Sequence, residues 1–130
     1  MNKFLLLSLL FTLTSCDFIR EVTGVNEYQS KAKQTMGKLI LTSAYTAMKM
    51  GQVDTRKYSV ASFLKFKEQN NSKDNIYSIY MKHEACPDCG MDDEKFKIVA
   101  LGNVDKDETL DVWTMDEKNN LVHLVNDLEN

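Results

Sequence analysis

From Glu27 to about Met50 the chain repeats at helical steps. Tyr28, Ala32, Met36, Leu39, Ser43, Ala47 and Met50 fall on one stripe, widened by Ile40, Ala44 and Met48. Residues spaced by three and four share one face of an α-helix. Asn26 is a natural N-cap and Gly51 a natural stop, which predicts a helix of about 24 residues, about 36 Å long. Gln52 to Lys67 has no sustained period, and Gln69 to Asn75 is a polar loop. The period then shortens to two. Ile76–Met81 is rich in β-branched and aromatic residues, and Phe96–Leu101 puts Phe96, Ile98 and Ala100 on one face. Thr109–Met115 alternates Leu110, Val112 and Thr114 against Asp111, Trp113 and Met115. Leu121–Val125 follows after Asp116–Asn120, a turn-prone hairpin loop. These are strand patterns. A helix this long finds no second helix in the pattern, so its stripe must rest on the sheet. The predicted class is α+β: one long N-terminal amphipathic helix packed on a three- to four-stranded antiparallel sheet.

The segment before Glu27 is of another kind. Lys3 precedes an uncharged apolar run from Phe4 to Leu13. That run is about half the ~20 apolar residues a bilayer-spanning helix needs, and it reads as a signal peptide. Leu13-Thr14-Ser15-Cys16 resembles a bacterial lipobox, in which a leucine and two small residues precede a cysteine. The resemblance implies cleavage between Ser15 and Cys16, a diacylglycerol on the Cys16 thiol, and usually a further acyl chain, such as palmitate, on the new amino group. Two or three acyl chains, at ~0.8 kcal/mol per buried CH2, anchor stably where one does not. The chain thus divides into a signal peptide (1–15), a lipidated tether (16–25) and a folded domain (26–130). The lipid would hold it to the cell membrane or the outer membrane, facing the periplasm or the cell surface.

Composition narrows the remaining choices. The folded part has the size of one domain. The chain carries 16 basic and 19 acidic residues, net −3, and loss of Lys3 makes the mature form more negative. That balance argues against nucleic acid as a partner. Of three cysteines, Cys16 is taken by lipid, leaving Cys86 and Cys89 as a close pair. In an exported protein such a pair is normally a disulfide.

Two longer stretches carry a second resemblance. Tyr28-Gln29-Ser30-Lys31-Ala32-Lys33-Gln34 resembles the segment that follows the membrane-embedded half of the long helix in type IV pilins. The run from Gly102 to Thr114, Gly-Asn-Val-Asp-Lys-Asp-Glu-Thr-Leu-Asp-Val-Trp-Thr, is similar to a C-terminal signature of such pilins, and Val125-Asn126-Asp127-Leu128 is similar to their ending. The resemblance implies a pilin-like or pseudopilin-like domain over nearly all of residues 26–128. The chain departs from the family at its start. It lacks the short basic leader, the Gly-Phe-Thr-Leu-x-Glu processing site and the ~20 apolar residues that build a filament core. A pilin-like domain on a lipid anchor is therefore expected, without assembly through a helical core.

Cys86-Pro87-Asp88-Cys89-Gly90 admits three chemistries. With His83 nearby it resembles one zinc-ribbon knuckle, although such sites take four ligands. A redox Cys-x-x-Cys needs a helix N-terminus in a thioredoxin-like frame, which the pattern does not supply. A disulfide pinning a small loop is the reading adopted. Asn103, Asp105, Asp107, Thr109 and Asp111 place oxygens at every second residue, which makes calcium a candidate ligand at Asp105, Asp107 and Asp111, although the glycine and terminal glutamate of an EF-hand loop are missing. Trp113 reads as a half-buried strand residue and the Met residues between 36 and 50 as core. His83 and His123 stand apart, with no nucleophile beside a base. The expected function is a non-enzymatic, lipid-anchored envelope protein acting as an accessory or interaction module, with pilus or type II secretion proteins as candidate partners. The alternative is a periplasmic metal- or redox-active lipoprotein using Cys86 and Cys89.

Overall fold

The structure, a computed structural model, describes the backbone of residues 3–129 and the side chains of residues 24–129. The side chains of the signal peptide assigned to residues 1–15, and the Cys16 thiol, lie outside the described residues. Contacts divide the chain into two compact units, Met1–Ala32 and Lys33–Asn130. Helix α1 (Lys3–Thr55) contributes to both. Within the first unit an exposed pair, Lys31 Nζ to Glu27 Oε1 at 2.6 Å, sits at the i,i+4 spacing that supports a helix.

Helix α1 runs through both residues expected to bound it, Asn26 and Gly51. A side chain at Gly51 would collide with Ser62, so this glycine admits a neighbour instead of ending the helix. The stop lies at Arg56, whose φ of 58° is the left-handed turn that closes many helices. The buried face is also displaced from the expected stripe. Its line is Gly37, Leu41, Ala44 and Met48, of which Ala44 and Met48 stood at the widened margin of that stripe. Leu39 and Met50 are 60% and 68% exposed, and Met36, Tyr28, Ala32 and Ser43 are exposed too. The cause is close approach. A Cβ on Gly37 would stand 2.7 Å from the Tyr77 ring and 3.1 Å from Trp113, so the helix nears the sheet only along a line that includes this glycine.

A second helix, α2 (Val60–Gln69), occupies much of the stretch that the pattern left irregular. Ser59 caps it: its Oγ accepts the Ser62 amide at 3.2 Å. Phe63 and Phe66, three apart, are its buried residues. The sheet comprises β1 (Tyr77–Tyr80), β2 (Gly90–Met91), β3 (Phe96–Gly102), β4 (Asp111–Asp116) and β5 (Leu121–Val125), all neighbours antiparallel. Its order is β1-β3-β4-β5, with β2 prolonging the β1 edge of β3. The α+β arrangement of a long helix and an antiparallel sheet is the predicted one, with the short β2 and helix α2 added.

Both faces of the sheet are covered. Leu41, Ala44, Met48, Phe63 and Phe66 share one cluster with Tyr77, Ile79, Ile98, Ala100, Trp113 and Met115. Val99, Leu101 and Val112 point the other way and pack with Cys86, Cys89 and half-buried Tyr80. This explains why β3 is buried along nearly its whole length instead of alternating. The segment between β1 and β2 is thus a cover for the second face.

Candidate functional site

Register places three residues side by side across the sheet: Tyr77 pairs with Gly102, and Gly102 with Asp111. Gly102 has no side chain to interrupt the row, and a Cβ there would lie 2.7 Å from the Tyr77 ring. Tyr77 therefore reaches across β3, its ring also against Gly37, and donates its hydroxyl to Asp111 Oδ2 at 2.5 Å. Trp113 Nε1 donates to the same oxygen at 2.5 Å.

The other oxygen of Asp111 gathers the rest. Oδ1 lies 2.7 Å from His123 Nε2, 2.9 Å from Gln34 Nε2 and 3.2 Å from the Asp127 amide. An ionised carboxylate only accepts, so the His123 proton here sits on Nε2 and the Gln34 amide turns its nitrogen inward. That nitrogen also donates to Asn126 Oδ1 at 2.6 Å. Asp111 is 0% exposed. Burial alone would push its pKa up, but the hydrogen bonds from Tyr77, His123, the Asp127 amide and Trp113 outweigh it and hold the carboxyl below its usual range. Tyr77 moves the other way: burial, then the adjacent Asp111, push the phenol well above its ordinary value. Trp113 is further held by His123, stacked at 3.6 Å and 8°, and by the Lys38 ammonium 4.8 Å from its ring. One carboxylate thereby ties together α1, β1, β4, β5 and the short 3-10 turn Asp127–Glu129.

The loop from Asn103 to Leu110 carries the remaining acids. Asn103 Oδ1 accepts the Lys106 amide at 2.5 Å, Asp105 Oδ1 the Asp107 amide at 3.2 Å, and Asp107 Oδ1 the Thr109 amide at 2.6 Å. These are the local turns that asparagine and aspartate favour. Of the residues singled out by spacing, Asp105 and Asp107 are brought together, whereas Asp111 faces the core. The third carboxylate near Asp105 and Asp107 is Asp127: one oxygen of each lies within 4.8 Å of the others. Asp127 is missed by spacing because β4 and β5 intervene. Its only signal is an aspartate after a strand in Val125-Asn126-Asp127-Leu128.

Cys86 and Cys89 are bonded to each other, and both are buried. His83 lies in the same loop, where its backbone carbonyl accepts the Cys86 amide at 3.0 Å. Asp88 ties the loop to β3 through Lys97 Nζ at 2.5 Å. Among the described residues, no helix is long and apolar enough to cross a membrane. Comparison with protein-family models, curated proteins and solved structures finds no match.

Proposed function

We propose that this chain is a lipid-anchored cell-envelope protein whose pilin-like domain serves as a non-catalytic accessory or interaction module. One observation carries the reading. The stretches that resemble pilins, far apart in sequence, meet in the fold: Gln34 donates to Asp111 at 2.9 Å, Lys33 Nζ donates to the Val104 carbonyl at 2.9 Å, and Asp111 accepts the Asp127 amide. A resemblance spread over three segments is more informative when those segments are joined through their side chains. The lipobox-like Leu13-Thr14-Ser15-Cys16 supports anchoring by lipid in place of a filament-forming helix. Type IV pilus or type II secretion proteins are the partner class that this reading names. Zinc or thiol chemistry at Cys86 and Cys89 would need free thiolates, and no observation favours it over the disulfide.

The test has two arms. In a bacterial host with lipoprotein processing, the wild-type chain should take up labelled palmitate and sediment with membranes. Cys16→Ser should lose the label and leave the membrane fraction. Unchanged fractionation of Cys16→Ser would reject the anchor. Crosslinking in the native cell should then recover envelope proteins of a pilus or secretion apparatus, and recovery of a metabolic substrate complex would reject the interaction-module reading.

A further inference from the structure

The sheet leaves one side of α1 bare. Within the second compact unit, from Lys33 to Thr55, the sheet takes Gly37, Leu41, Ala44 and Met48. Two residues along an α-helix are slightly more than half a turn. Leu39, Ser43, Thr46 and Met50 each stand two from a buried position and so face away from the sheet, with Met36 and Val53 beside them. The apolar members, Met36, Leu39, Met50 and Val53, are 42%, 60%, 68% and 78% exposed. The threonines on this side make little demand on water. Thr46 Oγ1 donates to the Thr42 carbonyl at 3.0 Å, and Thr42 Oγ1 to the Lys38 carbonyl at 2.8 Å. Single exposed apolar side chains are ordinary, but a row of them on one face marks an interaction surface.

Charge decides what this face meets. Residues 33–67, which hold this part of α1 and most of α2, carry seven basic side chains and one acidic, Asp54. Residues 68–129, which hold the sheet and its loops, carry six basic and fifteen acidic. A chain of net −3 is thus polarised into a basic helical layer and an acidic sheet. Lys38 and Lys49, eleven residues apart, stand on one flank of α1 between the bare row and the sheet. Their aromatic contacts, with Trp113 and with Tyr58, hold them there. We propose that the outward face of α1 from Met36 to Val53 is a docking surface for an anionic bilayer. The helix lies flat on it, apolar side chains at the acyl boundary and ammonium groups among the headgroups. The acidic sheet faces water, where anionic lipid would repel it. The reading of the chain as lipid-anchored supplies the nearness of a membrane, and this face supplies the contact.

Protein purified from a host with lipoprotein processing and reconstituted into vesicles tests this. Leu39→Cys, labelled with a nitrobenzoxadiazole maleimide that brightens in apolar surroundings, reports on the face. Val122→Cys, on strand β5, reports away from it, and the unsubstituted chain taken through the same labelling is the blank. With phosphatidylglycerol at about 30% of the lipid, the Leu39 label should brighten about twofold and the Val122 label should not. About 0.5 M salt should reverse most of the change, and pure phosphatidylcholine should give little of it. Met50→Glu with Val53→Glu, at exposed positions that leave the core intact, should melt as wild type and abolish most of the Leu39 response. Intact mass reads the lipid on Cys16 separately. A lipidated chain whose Leu39 label ignores phosphatidylglycerol overturns the docking face and leaves the anchor standing. An unlipidated chain whose label responds does the reverse. Equal responses on the two lipids would overturn the part given to charge, and brightening with protein concentration in the absence of vesicles would assign the face to a second copy instead.

Discussion

Asp111→Asn is the most informative single change, because it removes one acceptor from a site that contains only donors. The amide keeps one oxygen and presents an NH2 in place of the other. If the NH2 faces the Oδ1 partners, it meets the Asp127 amide, which cannot accept, and Gln34, whose flip would lose the bond to Asn126. If it faces the Oδ2 partners, the Tyr77 hydroxyl can turn and accept, but the Trp113 Nε1–H cannot. The second orientation costs less and still leaves a buried indole N–H unpaired. One lost hydrogen bond to a charged acceptor is worth about 1.5–3 kcal/mol, and an orphaned buried donor about 1–3 kcal/mol. Because these overlap, the expected loss is about 2–4 kcal/mol. For a domain of this size that lowers the Tm by about 8–20 °C. Urea unfolding followed by circular dichroism measures it. Trp113→Phe deletes the orphaned donor, so in the Asp111→Asn background it should cost about 1–2 kcal/mol less than in wild type. The acid limb should change as well. The folded pKa of Asp111 lies below its unfolded value, so its contribution is complete above about pH 4 and is lost as pH falls through the folded value. Asp111→Asn should therefore show a shallower loss of stability in acid. A variant within about 0.5 kcal/mol of wild type, or strict additivity with Trp113→Phe, would refute the argument.

Two further outcomes separate packing from local preference. Gly37→Ala should destabilise by about 1–3 kcal/mol, because its Cβ would meet the Tyr77 ring at 2.7 Å and that ring is fixed by Asp111. Helix propensity alone gives the opposite sign, a gain of about 1 kcal/mol, so a higher Tm for Gly37→Ala would sink the close-approach account. Replacing Cys86 and Cys89 together by serine should cost about 2 kcal/mol for the short loop that the disulfide closes, and more if the cover over Val99, Leu101 and Val112 loosens. Melting of wild type with and without reductant should show the same difference; no effect in either experiment would mean that the cover holds without its bond.

The sequence announced the elements whose burial is one-sided and periodic, and missed those fixed by encounter. The helix and four strands repeat over enough residues for spacing to show them. Helix α2 was legible in principle, since Ser59 caps it and Phe63 and Phe66 stand on one face, but its ten residues give fewer than three periods. β2, with two residues, gives none. The helix stripe was read from size and hydropathy, which favour Met36, Leu39 and Met50. The contact line instead runs through two small residues that let the helix approach the sheet, Gly37 and Ala44, together with Leu41 and Met48, and leaves Met36, Leu39 and Met50 exposed. The acidic run shows the same limit. Alternation puts Asp105, Asp107 and Asp111 on one face only if the chain is extended throughout. It turns at Lys106, whose φ is 73°, and becomes a strand only at Asp111. Asp127 joins the loop through the β4–β5 hairpin, a relation that no local spacing contains.

The Asp111 cluster also sets how the domain can open. Its donors come from residues 34, 77, 113, 123 and 127, so none of α1, β1, β4, β5 or the 3-10 turn can detach without taking a hydrogen bond from a buried carboxylate. Strand β5 lies at the sheet's edge with Val122 and Leu124 exposed, and would ordinarily be the first to fray. Lifting it removes His123 from Asp111 and from the face of Trp113, and draws away the Asp127 amide. Local fraying is thereby converted into loss of the core. The amide protons of β5 that are bonded to β4, and that of Asp127, should then exchange with solvent at the rate set by global unfolding, and the margin of the sheet behaves, on the timescale of hydrogen exchange, as part of its centre.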